Sequence, residues 1–283
     1  MQSMMIHPMR PRVDDRRLRR SAGFPLRRTT SCLRALPDFL MIGAMKCGTS
    51  SLFGCLCAHP DIVPPLRKEV HFFGHAAPLG YGLDWYRAHF PLRRHLRGGR
   101  ITGEATPGYM FDPEAMGRIA RTLPRIRLIM ILRDPVERAI SHWRHETRMG
   151  REYLPLDEAI AVEERRRDAA LAAGPAGRET YLHATYKARG RYAAQIAAVL
   201  RHVPRERLLI LGSGMLSRAP DEAMARAQAF LGLRPHRAMD LPPRRNVAPD
   251  GPVACDAARG ALAHHFAPHN RHLVDLLGAL PEW

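Results

Sequence analysis

The stretch DFLMIGAMKCGTSSL, residues 38–52, constrains the fold more than any other part of the chain. Asp38 to Ala44 reads as a short buried strand, an apolar run closing on glycine and alanine. Thr49 to Ala58 reads as the helix that follows, stopped before Pro60. Between them, the six residues Lys46 to Ser51 hold one lysine, one glycine and three hydroxyls. Backbone amides at a helix start, aided by the helix dipole, stabilise an anion. Lys46 adds a mobile positive charge, and Thr49, Ser50 and Ser51 add donors. A plain helix cap needs one hydroxyl and no lysine. The nucleoside-triphosphate loop G-x-x-x-x-G-K-[ST] places its lysine after the second glycine. Here Lys46 precedes Gly48.

Strands and helices continue to alternate. Residues 100–110 start as a strand and break at Pro107, and Ile126 to Leu132 is the clearest buried strand. A further strand spans Leu208 to Leu211. Asp112 caps a predicted helix with Pro113 at its first position, and Pro135 opens another. Leu83 to Phe90, Asp157 to Ala173, Tyr192 to His202 and Asp221 to Leu231 read as helices, with AGPAG after residue 172 as a flexible linker. Asp256 to Phe266 and Pro268 to Leu277 read as two helices parted by the proline. The pattern predicts an α/β fold, one domain with a central parallel β-sheet flanked by helices, over residues 37–283. Residues 1–36 read as a disordered basic tail.

The net charge is +17, and nine Arg against two Asp before Pro37 supply +7 of it. Such a surface suits anionic partners, and equally suits an Arg-rich, solvated exterior. The five cysteines, Cys32, Cys47, Cys55, Cys57 and Cys255, fit no disulfide framework and read as reduced thiols of a cytoplasmic protein. No run approaches the ~18 to 20 apolar residues of a transmembrane segment. The tail lacks the apolar core and cleavage site of a signal peptide. His142 and His145, and then His264, His265, His269 and His272, invite a metal reading; His265, His269 and His272 could share a helix face, but no carboxylate or cysteine completes that set, so no metal is expected.

Two more stretches carry chemistry. PPLRKEVHFF, residues 64–73, projects a loop in which Lys68 and Glu69 are adjacent and His71 precedes two phenylalanines. A carboxylate in a partly apolar pocket serves as a general base, and a neighbouring ammonium holds it ionised. A Lys–Glu pair in a loop is also a common surface feature. In ILRDPVERAISHW, Arg133 leaves the end of a buried strand, where open α/β sheets bind ligands. Ser141 follows two turns into the next helix, and arginine and serine can share one phosphate. Pairing of Arg133 with Asp134 or Glu137 is the structural alternative.

Taken in order, these stretches resemble the sulfotransferases that use 3′-phosphoadenosine 5′-phosphosulfate (PAPS). The likeness is to bacterial members and to the heparan sulfate O- and N-sulfotransferase branch. Family patterns run F-[IL]-I-G-x-x-K-[CS]-G-T-[ST]-[ST]-L, P-x-x-K-E-x-H-F-F and R-[DN]-P-x-x-R-x-x-S-x-[YW]. This chain has FLMIGAMKCGTSSL, PLRKEVHFF and RDPVERAISHW, with GEATPGYMF resembling G-E-x-[ST]-P-x-Y between them. The resemblance covers nearly everything from Asp38 onward and implies a P-loop-like fold.

It also implies roles. Lys46 would contact the phosphosulfate and assist the leaving phosphate, with Cys47, Gly48, Thr49, Ser50 and Ser51 completing the cradle. Arg133 and Ser141 would hold the 3′-phosphate. Glu69 would take the proton from an acceptor hydroxyl, less often an amine, with Lys68 beside it. His71 and Tyr109 would face the acceptor, possible forms of which include a polysaccharide or a glycolipid. Sulfuryl transfer asks for positioning, a base and a cation at the leaving group, and dispenses with magnesium. In the heparan branch the position of Ala105 is often an assisting lysine, which alanine cannot replace. That branch also closes a K-G-R loop over the nucleotide, where this chain offers Arg244 or Arg245. Two other readings remain: a P-loop kinase or NTPase with Asp134 ending a Walker B strand, and a basic nucleic-acid-binding module. The KEVHFF loop is unexplained by the first, and no recognition motif supports the second, so no nucleic-acid partner is expected.

Overall fold

The computed structural model describes residues 23–74, 81–236 and 255–283. Helix α1, Phe24–Thr29, opens on Pro25. Its Phe24 is buried edge-on against Trp85 and His89. Arg27 donates through Nε to the Ala88 carbonyl at 2.6 Å and through Nη2 to that of Phe90 at 2.9 Å. Residues 23–36 therefore dock on the body of the protein instead of forming part of a disordered tail. The remainder of that expected tail, residues 1–22, lies outside the described residues.

Strand β1, Phe39–Gly43, is wholly buried and feeds α2, Thr49–Cys57. After α3, Leu83–Arg87, comes the short β2, Gly103–Ala105. Helix α4 spans Ala115–Thr122, starting later than the sequence predicts. The Asp112 carboxylate accepts from the amides of Glu114 and Ala115, so it caps the turn that leads into the helix. Strand β3, Arg127–Leu132, runs into α5, Pro135–Arg148. Helix α6 spans Leu156–Ala172, and α7, Arg178–His183, follows it through one 3₁₀ turn at Gly174–Gly177. The linker predicted there is thus ordered. Beyond α7, the buried Glu163 carboxylate of α6 accepts from the amides of Lys187 at 2.6 Å and Ala188 at 2.9 Å and ties the two segments together. Helix α8, Tyr192–Leu200, precedes β4, Leu208–Gly212. Then come α9, Ser213–Arg218, α10, Pro220–Leu231, and α11, Asp256–Leu277.

Helix α11 runs unbroken through Pro268, where the sequence predicts two helices. The proline removes one backbone donor. Leu262, Phe266 and Leu273 are all buried, on both sides of that break, and hold the two halves in one line against the core.

The four strands form a parallel sheet in the order β2-β1-β3-β4. Phe39, Leu40, Met41 and Ile42 of β1 and Leu128 to Leu132 of β3 are fully buried, as central parallel strands covered on both faces must be. Each such side chain contributes about 1.5–3 kcal/mol by leaving water. A second apolar cluster joins α5, α6 and α11 around Trp143, Ile160 and Phe266. Among the described residues, no helix is long and apolar enough to cross a membrane.

Candidate active site

The carboxyl ends of β1, β3 and β4 open onto a cleft of about 900 Å³. Open α/β sheets bind ligands at this edge. The turn from Lys46 to Ser51, the pair Lys68–Glu69, and Arg133 with Ser141 all line it. The fold thus gathers the three sequence stretches into one space.

On one side, the β1–α2 turn is shaped by backbone conformation. Gly48 has φ 97°, a left-handed geometry that favours glycine, and a Cβ there would sit 3.1 Å from Leu216. No side chain caps α2, which leaves its opening amides to a ligand. Helix α5 differs, because the Asp134 carboxylate accepts from the Glu137 amide at 2.9 Å. Lys46 is also left-handed, with φ 70°. Burial lowers its pKa, Arg148 and Arg133 add to this, and Glu146 opposes it. The Cys47 thiol turns inward, 3.8 Å from the Tyr192 hydroxyl, and burial pushes its pKa up to about 11. Cys47 therefore offers the cleft its backbone. Arg133 donates through Nη1 to the Lys46 carbonyl at 3.5 Å, while its Nη2 lies 3.8 Å from Glu137. The structural pairing with Glu137 is therefore present, but long.

Across the cleft, residues 64–73 form an irregular loop. Glu69 and His71 have φ of 62° and 59°, each costing on the order of 1–3 kcal/mol for a side-chain-bearing residue. The buried Val70 and Phe73 hold the loop down. The Glu69 amide donates to the Ala105 carbonyl at 3.0 Å, and Arg67 donates to the Glu69 and Val70 carbonyls. The Glu69 carboxylate is 44% exposed, paired with Lys68, and 3.7 Å from His71 Nε2. Burial pushes its pKa up, but His71 and Lys68 outweigh this and hold it at about 2. It is an anion at any neutral pH.

Tyr109 is not brought to the cleft. It is 1% exposed, and its hydroxyl accepts from the Phe73 amide at 3.4 Å, so it anchors the loop from behind. Ala105 is fully buried next to Glu104, whose pKa burial raises to about 8. The segments around Trp85 and Tyr181 do not border the cleft either. Trp85 and Tyr86 pack under Phe72, and Tyr181 stacks on Phe111. Arg244 and Arg245 lie outside the described residues. Among the described residues, no group of His, Cys, Asp or Glu is arranged to hold a metal ion.

The cleft also holds residues that the sequence reading missed. Arg144 and His145 line it from α5, three and four positions after Ser141 and so on the same helix face. Burial pushes the His145 imidazole down to about 4, and Lys46 adds to this. Ser213, Gly214 and Leu216 follow β4, where the strand-end rule alone would have pointed. Trp283 carries no local signal.

The α/β fold sets a helix-start turn and a charged carboxylate around one cleft, and the comparisons specify the class of enzyme that carries them. The sulfotransferase domain family matches residues 36–241. The chain is 36% identical over 201 residues to heparan sulfate glucosamine 3-O-sulfotransferase 3B1 of Mus musculus, covering 71% of this chain and 47% of that protein. It is 40% identical over 111 residues to the membrane-associated sulfotransferase kil1 of Dictyostelium discoideum, covering 39% of this chain and 23% of that one. The chain thus spans less than half the length of these two relatives. A crystal structure of a sulfotransferase from Alicyclobacillus acidocaldarius superposes with TM-score 0.71 at 29% identity, covering 87% of this chain and 97% of that one. The chain belongs to the sulfotransferase family. The kinase and nucleic-acid-binding readings give way to that match.

Proposed function

We propose that the protein transfers a sulfuryl group from PAPS to a hydroxyl, less often an amine, of a carbohydrate or glycoconjugate acceptor. The observation that carries this is the meeting of Lys46, Arg133 and Glu69 around one cleft from three distant parts of the chain. The 5′-phosphosulfate lies on the α2 amides with Thr49, Ser50, Ser51 and Lys46. The 3′-phosphate is held by Arg133 and Ser141. The acceptor oxygen attacks sulfur from the Glu69 side, in line with the leaving phosphate. As the new O–S bond forms, the S–O bond to the 5′-phosphate breaks, and that phosphate keeps the electron pair. Glu69 takes the acceptor's proton, and Lys46 neutralises charge on the leaving group.

Lys68 gives the pair a second use. It holds the Glu69 carboxylate in the free enzyme. A carboxylate held at about 2 is a weak base. An entering phosphosulfate competes for Lys68, and Glu69 becomes more basic as that ion pair loosens. The heparan-type relatives support the carbohydrate assignment.

Incubation with ³⁵S-labelled PAPS and a panel of glycosaminoglycans, glycolipids and simple alcohols tests the proposal. Label transferred to a hydroxyl acceptor by the wild type, and not by Glu69→Gln, supports it. Equal transfer by both proteins contradicts the assignment of the base.

A further inference from the structure

The segment after α11 runs back to the α9 side of the cleft, and two glycines make room for it. A Cβ at Gly212 would lie 1.9 Å from the Glu282 carbonyl oxygen. One at Gly214 would lie 2.7 Å from the Trp283 backbone and as close to the Arg218 guanidinium. The Glu282 carbonyl accepts from the Gly214 amide at 2.9 Å and from the Met215 amide at 3.4 Å. Arg218 closes the contact, 3.4 Å from the Trp283 carbonyl and 3.9 Å from the Glu282 carboxylate. This fastening places Trp283 on the cleft wall, packed partly on the core. Its ring lies 6.5 Å from that of Tyr192, which donates to the Arg133 carbonyl at 2.9 Å.

A nucleoside bisphosphate gripped by the α2 turn and by Arg133 has both phosphates accounted for. Its base must find an apolar wall on the remaining edge. That edge is the start of α9, where Leu216 and Trp283 are the apolar members. We propose that Trp283 is the base-contacting wall of the donor site, held there by the Gly212–Gly214 cradle, and that it makes the site select a nucleotide over a bare sugar bisphosphate. This rests on the PAPS reading above. An indole face stacks on any purine and adds affinity without adding charge.

The test uses the whole chain and two probes, 3′-phosphoadenosine 5′-phosphate (PAP) and ribose 3,5-bisphosphate, each titrated calorimetrically and by intrinsic fluorescence. Trp85 and Trp143 are only 2% and 3% exposed, so a quench on PAP binding reports Trp283. Trp283→Ala should weaken PAP roughly 5- to 150-fold and leave ribose bisphosphate unchanged. Trp283→Phe should keep most of the PAP affinity and lose the quench. Gly212→Ala, which displaces the Glu282 carbonyl, should weaken PAP selectively with the indole still present. The proposal is overturned if Trp283→Ala binds PAP like the wild type, or if both probes weaken equally, as loss of folding alone would produce. If the wild type binds neither probe, the PAPS reading fails and this proposal with it. If it binds PAP and Trp283→Ala changes nothing, only the wall is wrong.

Discussion

The two walls of the cleft carry the same kinds of charge but are built differently. The wall proposed to hold the donor sits on regular structure: a buried strand, one glycine turn and an uncapped helix start at β1 and α2, and a strand end followed by a capped helix at β3 and α5. The opposite wall is a loop with two left-handed side-chain-bearing residues, kept in place by Val70, Phe73 and the Tyr109 hydroxyl behind it. A helix start binds anions by geometry it has anyway. A base facing a reacting oxygen must be aimed, and on the proposed mechanism the left-handed backbone at Glu69 and His71 does the aiming. The donor wall should therefore govern binding and the loop should govern turnover.

The largest expected effect is on turnover. Glu69→Gln should lower kcat by about 10²- to 10⁴-fold while PAP affinity stays as in the wild type. A parallel loss of PAP affinity, measured by calorimetry, would erase the division between the walls. Lys46→Ala should lower kcat about 10²- to 10³-fold and weaken the donor as well, since the lysine serves the ground state and the leaving group. Arg133→Ala should cost PAP about ten- to hundredfold in affinity and leave adenosine 5′-phosphate almost unmoved. Equal losses for both nucleotides would move the 3′-phosphate elsewhere.

Smaller effects probe what lies behind the loop. Burial raises Glu104 from the ordinary 4.5 to about 8, so between those values the native state keeps a proton that the unfolded chain has lost. Stability then falls as pH rises through that window, with a slope of at most about 1.4 kcal/mol per unit. Glu104→Gln should remove the slope, and melting curves at a series of pH values would show it. Glu69 has the opposite sign. Its pKa is held down at about 2, so its contribution is present above 4.5 and is lost only as pH falls toward 2. Solvent around its exposed carboxylate reduces that contribution. The smallest effect concerns Cys47. Its thiol, pushed up to about 11 and buried, should resist alkylation in the native protein, whereas the exposed Cys32 and Cys255 react. Mass spectrometry after brief iodoacetamide treatment checks this, and activity should be unchanged.

The stretches that line the proposed donor side of the cleft were legible because each is local in sequence. Lys46, Gly48 and Thr49 lie within one turn, and Arg133 and Ser141 lie on one strand–helix junction. The sheet was legible for the same reason, since buried parallel strands read as unbroken apolar runs. What escaped depends on distant packing. Tyr109 looks like a site residue by its neighbours in sequence, but burial turns it into a support. Phe24 docks against Trp85 across a separation that no local pattern records. Pro268 breaks helices in isolation, yet buried Phe266 and Leu273 keep this one whole. Trp283 reaches the cleft through contacts with Gly212 at the end of β4 and with Gly214 and Arg218 of α9, which periodicity cannot relate to it.

The most direct test of the account is calorimetric titration of the wild type with PAP in the presence of EDTA, beside adenosine 5′-phosphate and ATP. The expected result is metal-independent binding of PAP that exceeds both controls and disappears in a Lys46→Ala, Arg133→Ala double variant. Binding with no preference over ATP, or binding that requires magnesium, would contradict it.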